Sequence, residues 1–387
     1  MRFDIIFLTS HPISVIAFMP PHLRALKSNW SLQVLANTQE ADLLQKRGLD
    51  VPVEFAPVER QIRPWADTKA LWCLYKKFKT ERPFAVHTLT PKAGLLGMCA
   101  AWLARVPVRV HTFTGQVWVT RQGPTRWLLK AADRCIAALA TDVLVDSPSQ
   151  RHFLIQEGVV SAQGSAVLGE GSICGVDTQR FSPSLLMRQK LRSDMGTSND
   201  AFVCLYLGRL NRDKGVLDLA AAFAQVANKH PKAQLWVVGP DEDDMFAQMQ
   251  SLLGTCSQQV RRVGYTNEPE RFMQAADLFC LPSYREGFGS SVIEAAACGV
   301  PALASRIYGL TDAVVEGQTG WMHEAGNVQD LAAQLDALLE APAQLQIRGE
   351  AARVNVEQVF EQSLITSAML DFYKARLETM GAKDTDL

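Results

Sequence analysis

The stretch Leu281-Pro-Ser-Tyr-Arg-Glu286-Gly-Phe-Gly-Ser-Ser-Val-Ile-Glu294-Ala-Ala-Ala-Cys-Gly-Val-Pro301 decides how the chain is read. The apolar run that ends at Leu281 stops at a proline and reads as a buried strand. A loop with Glu286, Gly287, Phe288 and Gly289 follows. Ser290 and Ser291 then open an alanine-rich helix that carries Glu294 and stops at Gly299, and Pro301 leads into the next strand. The order is strand, glycine loop, helix, strand.

This order suits an anionic ligand. Glycine lets backbone come close to a ligand, and free N–H groups at a helix start attract phosphate. Carboxylates in the same place are poor phosphate ligands but good acceptors for hydroxyls. A sugar nucleotide carries both kinds of group.

The spacing Glu286-x7-Glu294, with Gly-Phe-Gly between, resembles the donor motif of retaining GT-B glycosyltransferases of family four, the glycosyl transferases group 1. A second string, Gly208-Arg209-Leu-Asn-Arg212-Asp-Lys214-Gly215, closes a strand and opens a helix. Cations there oppose the helix dipole unless an anion sits among them. The string is similar to the family's Gly-Arg-x4-Lys-Gly motif. The resemblance implies that Arg209 and Lys214 hold the donor diphosphate, that Glu286 accepts hydroxyls of the transferred sugar, and that Glu294 accepts those of the ribose. Backbone at Phe288, Gly289, Ser290 and Ser291 would face sugar and phosphates, and Tyr265 and Thr266 would lie at the base. His111, at a strand end in the first half, matches the position that contacts the sugar near its anomeric carbon.

On the acceptor side the resemblance is to a subset acting in capsule, O-antigen and related polysaccharide synthesis. Lys92, in the loop His87 to Gly94, is set against an acceptor phosphate or against an ordinary exposed helix start. Many relatives carry a glycine pair after the first strand; here Thr9-Ser10-His11-Pro12-Ile13-Ser14 has none, and Ser14 is the residue set against the acceptor. Asp241-Glu242-Asp243 spells the metal motif of the other glycosyltransferase fold, and equally an ordinary acidic helix start. The expectation is no metal and no cofactor. Trp118, Arg121, Arg126, Trp127 and Lys130 suit either a membrane-interface surface or a half-buried helix.

Bulk properties agree. A 387-residue chain is long for one core and suggests two domains. A net charge of −1 argues against nucleic acid as partner. The eight cysteines form no CxxC pair and read as small buried hydrophobes. The N-terminus does not read as a signal peptide, and no run reaches the ~20 apolar residues of a spanning helix.

Strands alternate with helical patterns throughout, as parallel sheets require. In the first half, strands are expected near residues 5–8, 32–36, 51–55, 84–88, 108–112 and 143–146, with helices over 15–27, 41–47, 66–80, 92–104 and 127–140. The second half restarts with a strand at 202–207, and a last helix spans 360–380 with a frayed tail after Gly381. The expected architecture is α/β of the GT-B type: two doubly wound Rossmann-like parallel-sheet domains facing a cleft, with the C-terminal helix crossing back to the N-terminal domain. Domains are expected at 1–182 (acceptor side), 183–358 (nucleotide-sugar donor) and 359–387 (returning helix and tail).

The function this implies is retaining transfer of a hexose or N-acetylhexosamine from a UDP-sugar to a polyprenyl-diphosphate-linked glycan. The enzyme would be cytoplasmic, peripheral at the inner face of a bacterial membrane. A soluble acceptor, or sugar-nucleotide 2-epimerase chemistry on the same fold, are the alternatives. The epimerase would need an acid–base pair around the sugar that the sequence does not offer.

Overall fold

The computed structural model describes residues 3–384, with side chains described to residue 377. The chain forms two units, one of residues up to Gly175 together with those from Gln362 onward, the other Val176–Glu361.

The first unit runs β1 (Ile5–Thr9), α1 (Pro12–Phe18), α2 (Pro20–Lys27), β2 (Leu32–Ala36), β3 (Val53–Phe55), α3 (Pro64–Glu81), β4 (Ala85–Leu89), α4 (Pro91–Leu103), β5 (Val108–Phe113), α5 (Gly123–Leu139), β6 (Asp142–Val145), α6 (Pro148–Gln156) and β7 (Ser165–Ala166). The strands form one parallel sheet in the order β3-β2-β1-β4-β5-β6-β7, with Ile5 of β1 opposite Leu32 on one side and Ala85 on the other. All five residues of β1 are buried, as expected for a parallel strand covered on both faces. Ile5 and Phe7 pack to one side with Leu23 of α2, while Ile6 and Leu8 pack to the other with Leu74 of α3 and Ile136 of α5. The two-residue period of the strand makes that division.

The small residues of α4 have a direct cause. A β-carbon on Gly97 would fall 2.6 Å from Thr88 Cγ2 and 2.7 Å from Leu8 Cδ2, so only glycine lets this helix lie so close to the sheet.

Two expectations for the first unit are corrected. The helix expected over 15–27 is two helices, because Pro20 has no N–H to continue α1 and instead occupies the first turn of α2. The helix expected over 41–47 is only a 3-10 turn, Gln45–Arg47, ended by Gly48 at φ 69°.

The second unit runs α7 (Leu185–Asp194), β8 (Phe202–Leu207), α8 (Val216–Ala227), β9 (Ala233–Val238), α9 (Met245–Leu253), β10 (Val260–Val263), α10 (Pro269–Ala275), β11 (Leu278–Leu281), α11 (Ser290–Ala297), β12 (Ala302–Ser305), α12 (Leu310–Ala313), β13 (Gly320–His323), α13 (Val328–Glu340) and α14 (Ala343–Val359). Its parallel sheet has the order β10-β9-β8-β11-β12-β13. Chain order reverses between β8 and β11, and in such sheets the loops beyond the strand ends at that point form a natural ligand crevice.

Helix α7 was not anticipated. Its ten residues mix Leu and Met with Arg and Lys without a clear apolar stripe, and Leu191 and Arg192 are the buried ones. Arg192, fully enclosed, donates to the carbonyls of Ala275, Asn199 and Ala201 and to Asp277 Oδ2 at 2.7 Å. Those partners satisfy a charge that could not otherwise be buried.

The last helix, α15 (Gln362–Asp384), belongs to the first unit. Tyr373 is buried there, its hydroxyl 2.9 Å from His87 Nδ1. The helix continues beyond Gly381, where fraying was expected; residues 385–387 lie outside the described residues.

Candidate functional site

In the second unit, the loop after β8 and the loop after β11 meet at the point of reversal. Gly215 has φ 65°, and a β-carbon there would fall 1.9 Å from the Pro282 carbonyl oxygen. The backbone N–H of Tyr284 donates to the Asp213 carbonyl at 2.9 Å, and Arg285 pairs with the Asp213 carboxylate at 3.0 Å. These contacts lock the loops together and bring Lys214 Nζ to 2.5 Å from Glu286 Oε1. Ser283, fully buried, donates to the same Glu286 oxygen at 2.8 Å. A carboxylate held by an ammonium and a hydroxyl keeps its second oxygen as an acceptor.

Arg209 is also paired: its Nη1 lies 3.0 and 3.1 Å from the two oxygens of Glu242. Asn211 Nδ2 donates to Glu242 as well, at 3.1 Å, while Asn211 Oδ1 is buried with no partner among the described residues. Asp241 accepts from the backbone N–H of Met245 and Phe246 at 2.8 and 3.1 Å, capping α9. Of the acidic string, Asp241 thus serves a helix start and Glu242 holds an arginine.

Helix α11 begins at Ser290, just after Gly289 at φ 67°, with no side-chain cap and no acid in its first turn. A β-carbon on Gly289 would fall 2.4 Å from Leu310 Cδ2. The backbone N–H groups of Ser290 and Ser291 therefore open the helix without competing side-chain acceptors, as anion binding requires. The Phe288 side chain is buried, edge-on to Phe360 at 5.1 Å, and anchors the loop.

Glu294 lies one turn into α11. Its carboxylate has no hydrogen bond to any described residue, and burial pushes its pKa up to about 7, against the counteracting charge of Arg180. Arg180 is drawn to Glu270 at 2.7 Å and to the Asn267 carbonyl at 3.0 Å. Tyr265 is exposed, its hydroxyl 3.0 Å from Asn267 Oδ1, and Thr266 caps the next turn through Glu268 N.

In the first unit, His111 on β5 is buried, with Nδ1 2.8 Å from Thr88 Oγ1. Burial lowers its pKa to about 3, so the ring is neutral at physiological pH. Gly94 makes room for it: a β-carbon there would fall 2.5 Å from His111 Cε1.

Lys92 is not an exposed helix start. Its ammonium pairs with Asp67 at 2.5 Å and donates to the Gln61 carbonyl, with 13% of its side chain exposed. The glycine-free loop becomes the first turn of α1, capped by His11 Nδ1 on Ile13 N at 3.1 Å, and half-buried Ser14 sits in that turn.

The Trp118–Lys130 stretch divides between the two readings, with Arg121 and Trp127 exposed and the rest of the named residues drawn inward. Trp118 is buried and donates to Asp133 at 2.7 Å, while Arg126 and Lys130 lie over its ring and pair with Glu157. Cys73 and Cys135 are exposed rather than buried.

The family model for glycosyl transferases group 1 matches residues 187–355, and one for a glycosyl transferase 4-like domain matches residues 22–167. The chain is 30% identical over 329 residues to the capsular polysaccharide biosynthesis glycosyltransferase CapM of Staphylococcus aureus, covering 84% of this chain and 86% of that protein. The chain belongs to the group 1 glycosyltransferases. A further relative of this glycosyltransferase is an Escherichia coli UDP-Gal:alpha-D-GlcNAc-diphosphoundecaprenol alpha-1,3-galactosyltransferase, 28% identical over 70% of each chain. The crystal structure of Anabaena Alr3699/HepE in complex with UDP and glucose superposes with a TM-score of 0.79 at 22% identity, covering 96% of this chain and 100% of that one. The fold of this glycosyltransferase is GT-B, built on two Rossmann-like parallel sheets.

Reading the sequence missed Ser283, Glu242 and the Arg180–Glu270 pair. Ser283 sits three residues before Glu286, a spacing that was open to view. Glu242 is 33 residues from Arg209, and no local pattern announces such a pair.

Proposed function

We propose that this glycosyltransferase moves a hexose or N-acetylhexosamine from a UDP-sugar to a polyprenyl-diphosphate-linked glycan, with retention of anomeric configuration, at the inner face of a bacterial membrane. The observation that carries the donor assignment is the meeting of the two loops, which places Lys214 on Glu286 at 2.5 Å beside the uncapped start of α11. The diphosphate competes with Glu286 for Lys214 and with Glu242 for Arg209. Glu286, so released, accepts hydroxyls of the sugar. Glu294 accepts the ribose hydroxyls, for which its carboxylate is otherwise unpartnered, and Tyr265 and Thr266 lie toward the base.

As the sugar leaves, negative charge grows on the diphosphate. Arg209, Lys214 and the N–H groups of α11 are fixed donors for that charge, which is electrostatic stabilisation of the transition state. Because side chains and backbone supply the positive charge, no metal is required. The acceptor assignment is supported by the capsular and diphosphoundecaprenol-directed relatives.

The test is a thermal-shift series with UDP, GDP and ADP, with and without EDTA, on the native protein and Glu294→Ala. The reading expects UDP to stabilise selectively, EDTA to have no effect, and Glu294→Ala to lose most of the shift. No shift with any nucleotide at millimolar concentration would remove the donor assignment. Transfer to lipid-linked against soluble glycans then tests the acceptor.

A further inference from the structure

Helices α3, α4 and α5 neighbour one another on one face of the first unit's sheet. Their inner sides bury Leu74, Phe78, Met98 and Ile136. Their outer sides carry Trp65, Trp72, Trp102 and Trp127, which are 90%, 55%, 54% and 69% exposed. Every exposed tryptophan among the described residues lies on these three helices. Ile62, Leu103 and Leu128 stand exposed beside them. An indole left in water forgoes the burial that aromatic side chains ordinarily gain, so four on one face need a partner.

The charge of the same segment is lopsided. Between Glu59 and Leu139 the sequence holds fourteen Lys and Arg against four Asp and Glu, in a chain whose net charge is −1. All four acids are already engaged: Glu59 with Arg63, Asp67 with Lys92, Glu81 with Lys77, and buried Asp133 with Trp118. Lys69, Lys79, Arg105 and Arg121 have no ion-pair partner among the described residues. The outer face therefore offers indoles, aliphatic tips and uncompensated cations, with no free acid to repel an anionic surface.

That combination matches the interface of a bilayer. Tryptophan is favoured at headgroup level, aliphatic tips reach the acyl boundary, and Lys and Arg meet anionic headgroups. Single-stranded nucleic acid also takes aromatic and basic side chains, but it gives no role to Ile62, Leu103 and Leu128. We propose that the outer face of α3, α4 and α5 docks on an anionic lipid bilayer, with Trp65, Trp72, Trp102 and Trp127 at headgroup depth. No helix among the described residues is long and apolar enough to cross a membrane; this face lies on the surface instead. The inference rests on the surface itself and not on the acceptor assignment.

The test is sedimentation of the whole protein with phosphatidylglycerol–phosphatidylcholine vesicles and with phosphatidylcholine vesicles. The variants are Trp65→Ser/Trp127→Ser and Lys69→Glu/Arg121→Glu. The native protein is expected to bind the anionic vesicles, to release with salt, and to bind the neutral ones weakly. Each basic side chain removed is expected to lower partitioning about fivefold, and the tryptophan pair to lower it on either lipid. UDP-induced thermal shifts should be unchanged in both variants, which shows them folded. Failure to bind anionic vesicles, or binding that both variants retain in full, overturns the proposal. So does displacement by oligonucleotide, or a dimer by light scattering that both variants abolish while vesicles are ignored. Vesicle binding without transfer to a lipid-linked glycan upholds the docking face and removes only the acceptor assignment.

Discussion

Gly215→Ala gives the sharpest test of how the donor loops are held. The residue has φ 65°, and the new methyl would sit 1.9 Å from the Pro282 carbonyl oxygen and 2.8 Å from its carbon. Real β-carbons essentially never approach closer than 3.0 Å, so the two loops must part by about 1 Å. Left-handed backbone at a non-glycine residue costs roughly 1–2 kcal/mol, and overpacking adds roughly 1–3 kcal/mol. The expected loss of stability is therefore about 2–5 kcal/mol by urea denaturation. The same parting would stretch the 2.5 Å Lys214–Glu286 bond beyond hydrogen-bonding range. A misplacement of ~1 Å in a reacting constellation costs about a hundredfold in rate. Gly48→Ala separates clash from strain: its φ of 69° and ψ of 22° match the 65° and 21° of Gly215, but nothing lies within 4 Å of the built β-carbon. It should lose only the backbone term and keep donor turnover. If Gly215→Ala matches Gly48→Ala in both stability and turnover, the close approach at Pro282 does not hold the site.

Four other outcomes are expected. UDP affinity should rise as pH increases through about 7, because ribose hydroxyls favour the ionised form of Glu294 while the empty pocket favours the neutral one; calorimetry on the native protein and Glu294→Gln checks this, and the variant should lose the added dependence. Lys214→Met should cut donor turnover about a hundredfold or more, as removal of a transition-state donor does, with little change in melting temperature, since the Glu286 carboxylate left behind keeps its Ser283 bond. Arg192→Met should cost about 3–5 kcal/mol in urea denaturation, because it strands buried carbonyls and half of the Asp277 pairing. Asp146, buried with one oxygen unpartnered, has its pKa pushed up to about 8. The unfolded chain gives up that proton near pH 4, so stability falls as pH rises from there to about 8; Asp146→Asn should flatten that fall in melting curves.

The alternation of apolar runs made both parallel sheets legible, because strands buried on both faces leave uninterrupted hydrophobic stretches such as Ile5–Leu8 and Phe202–Leu207. Helix α7 was hidden for the opposite reason: beside Leu191 it buries an arginine, Arg192, whose partners include the Ala275 carbonyl and Asp277 far along the chain. The break at Pro20 was written in the sequence, and the apolar periodicity across it obscured the missing N–H. At the site, Gly215, Gly289 and the spacing of the two glutamates were visible as chemistry. What was not visible was pairing across distance. Lys92 looked available until Asp67 of α3 was placed beside it, and Arg209 until Glu242 was. Trp118 misled because a tryptophan next to arginines reads the same whether the cations face water or cover its ring.

The bond between His87 and Tyr373 spans 286 residues. It closes a unit whose two sequence segments are separated by the whole of the other. During synthesis the second unit is complete before α15 exists, while the first sheet waits with the face around Phe7 and His87 uncovered. The part of the chain made first is thus the part finished last, and a chain truncated after Glu361 would carry a complete second unit tethered to an open first one.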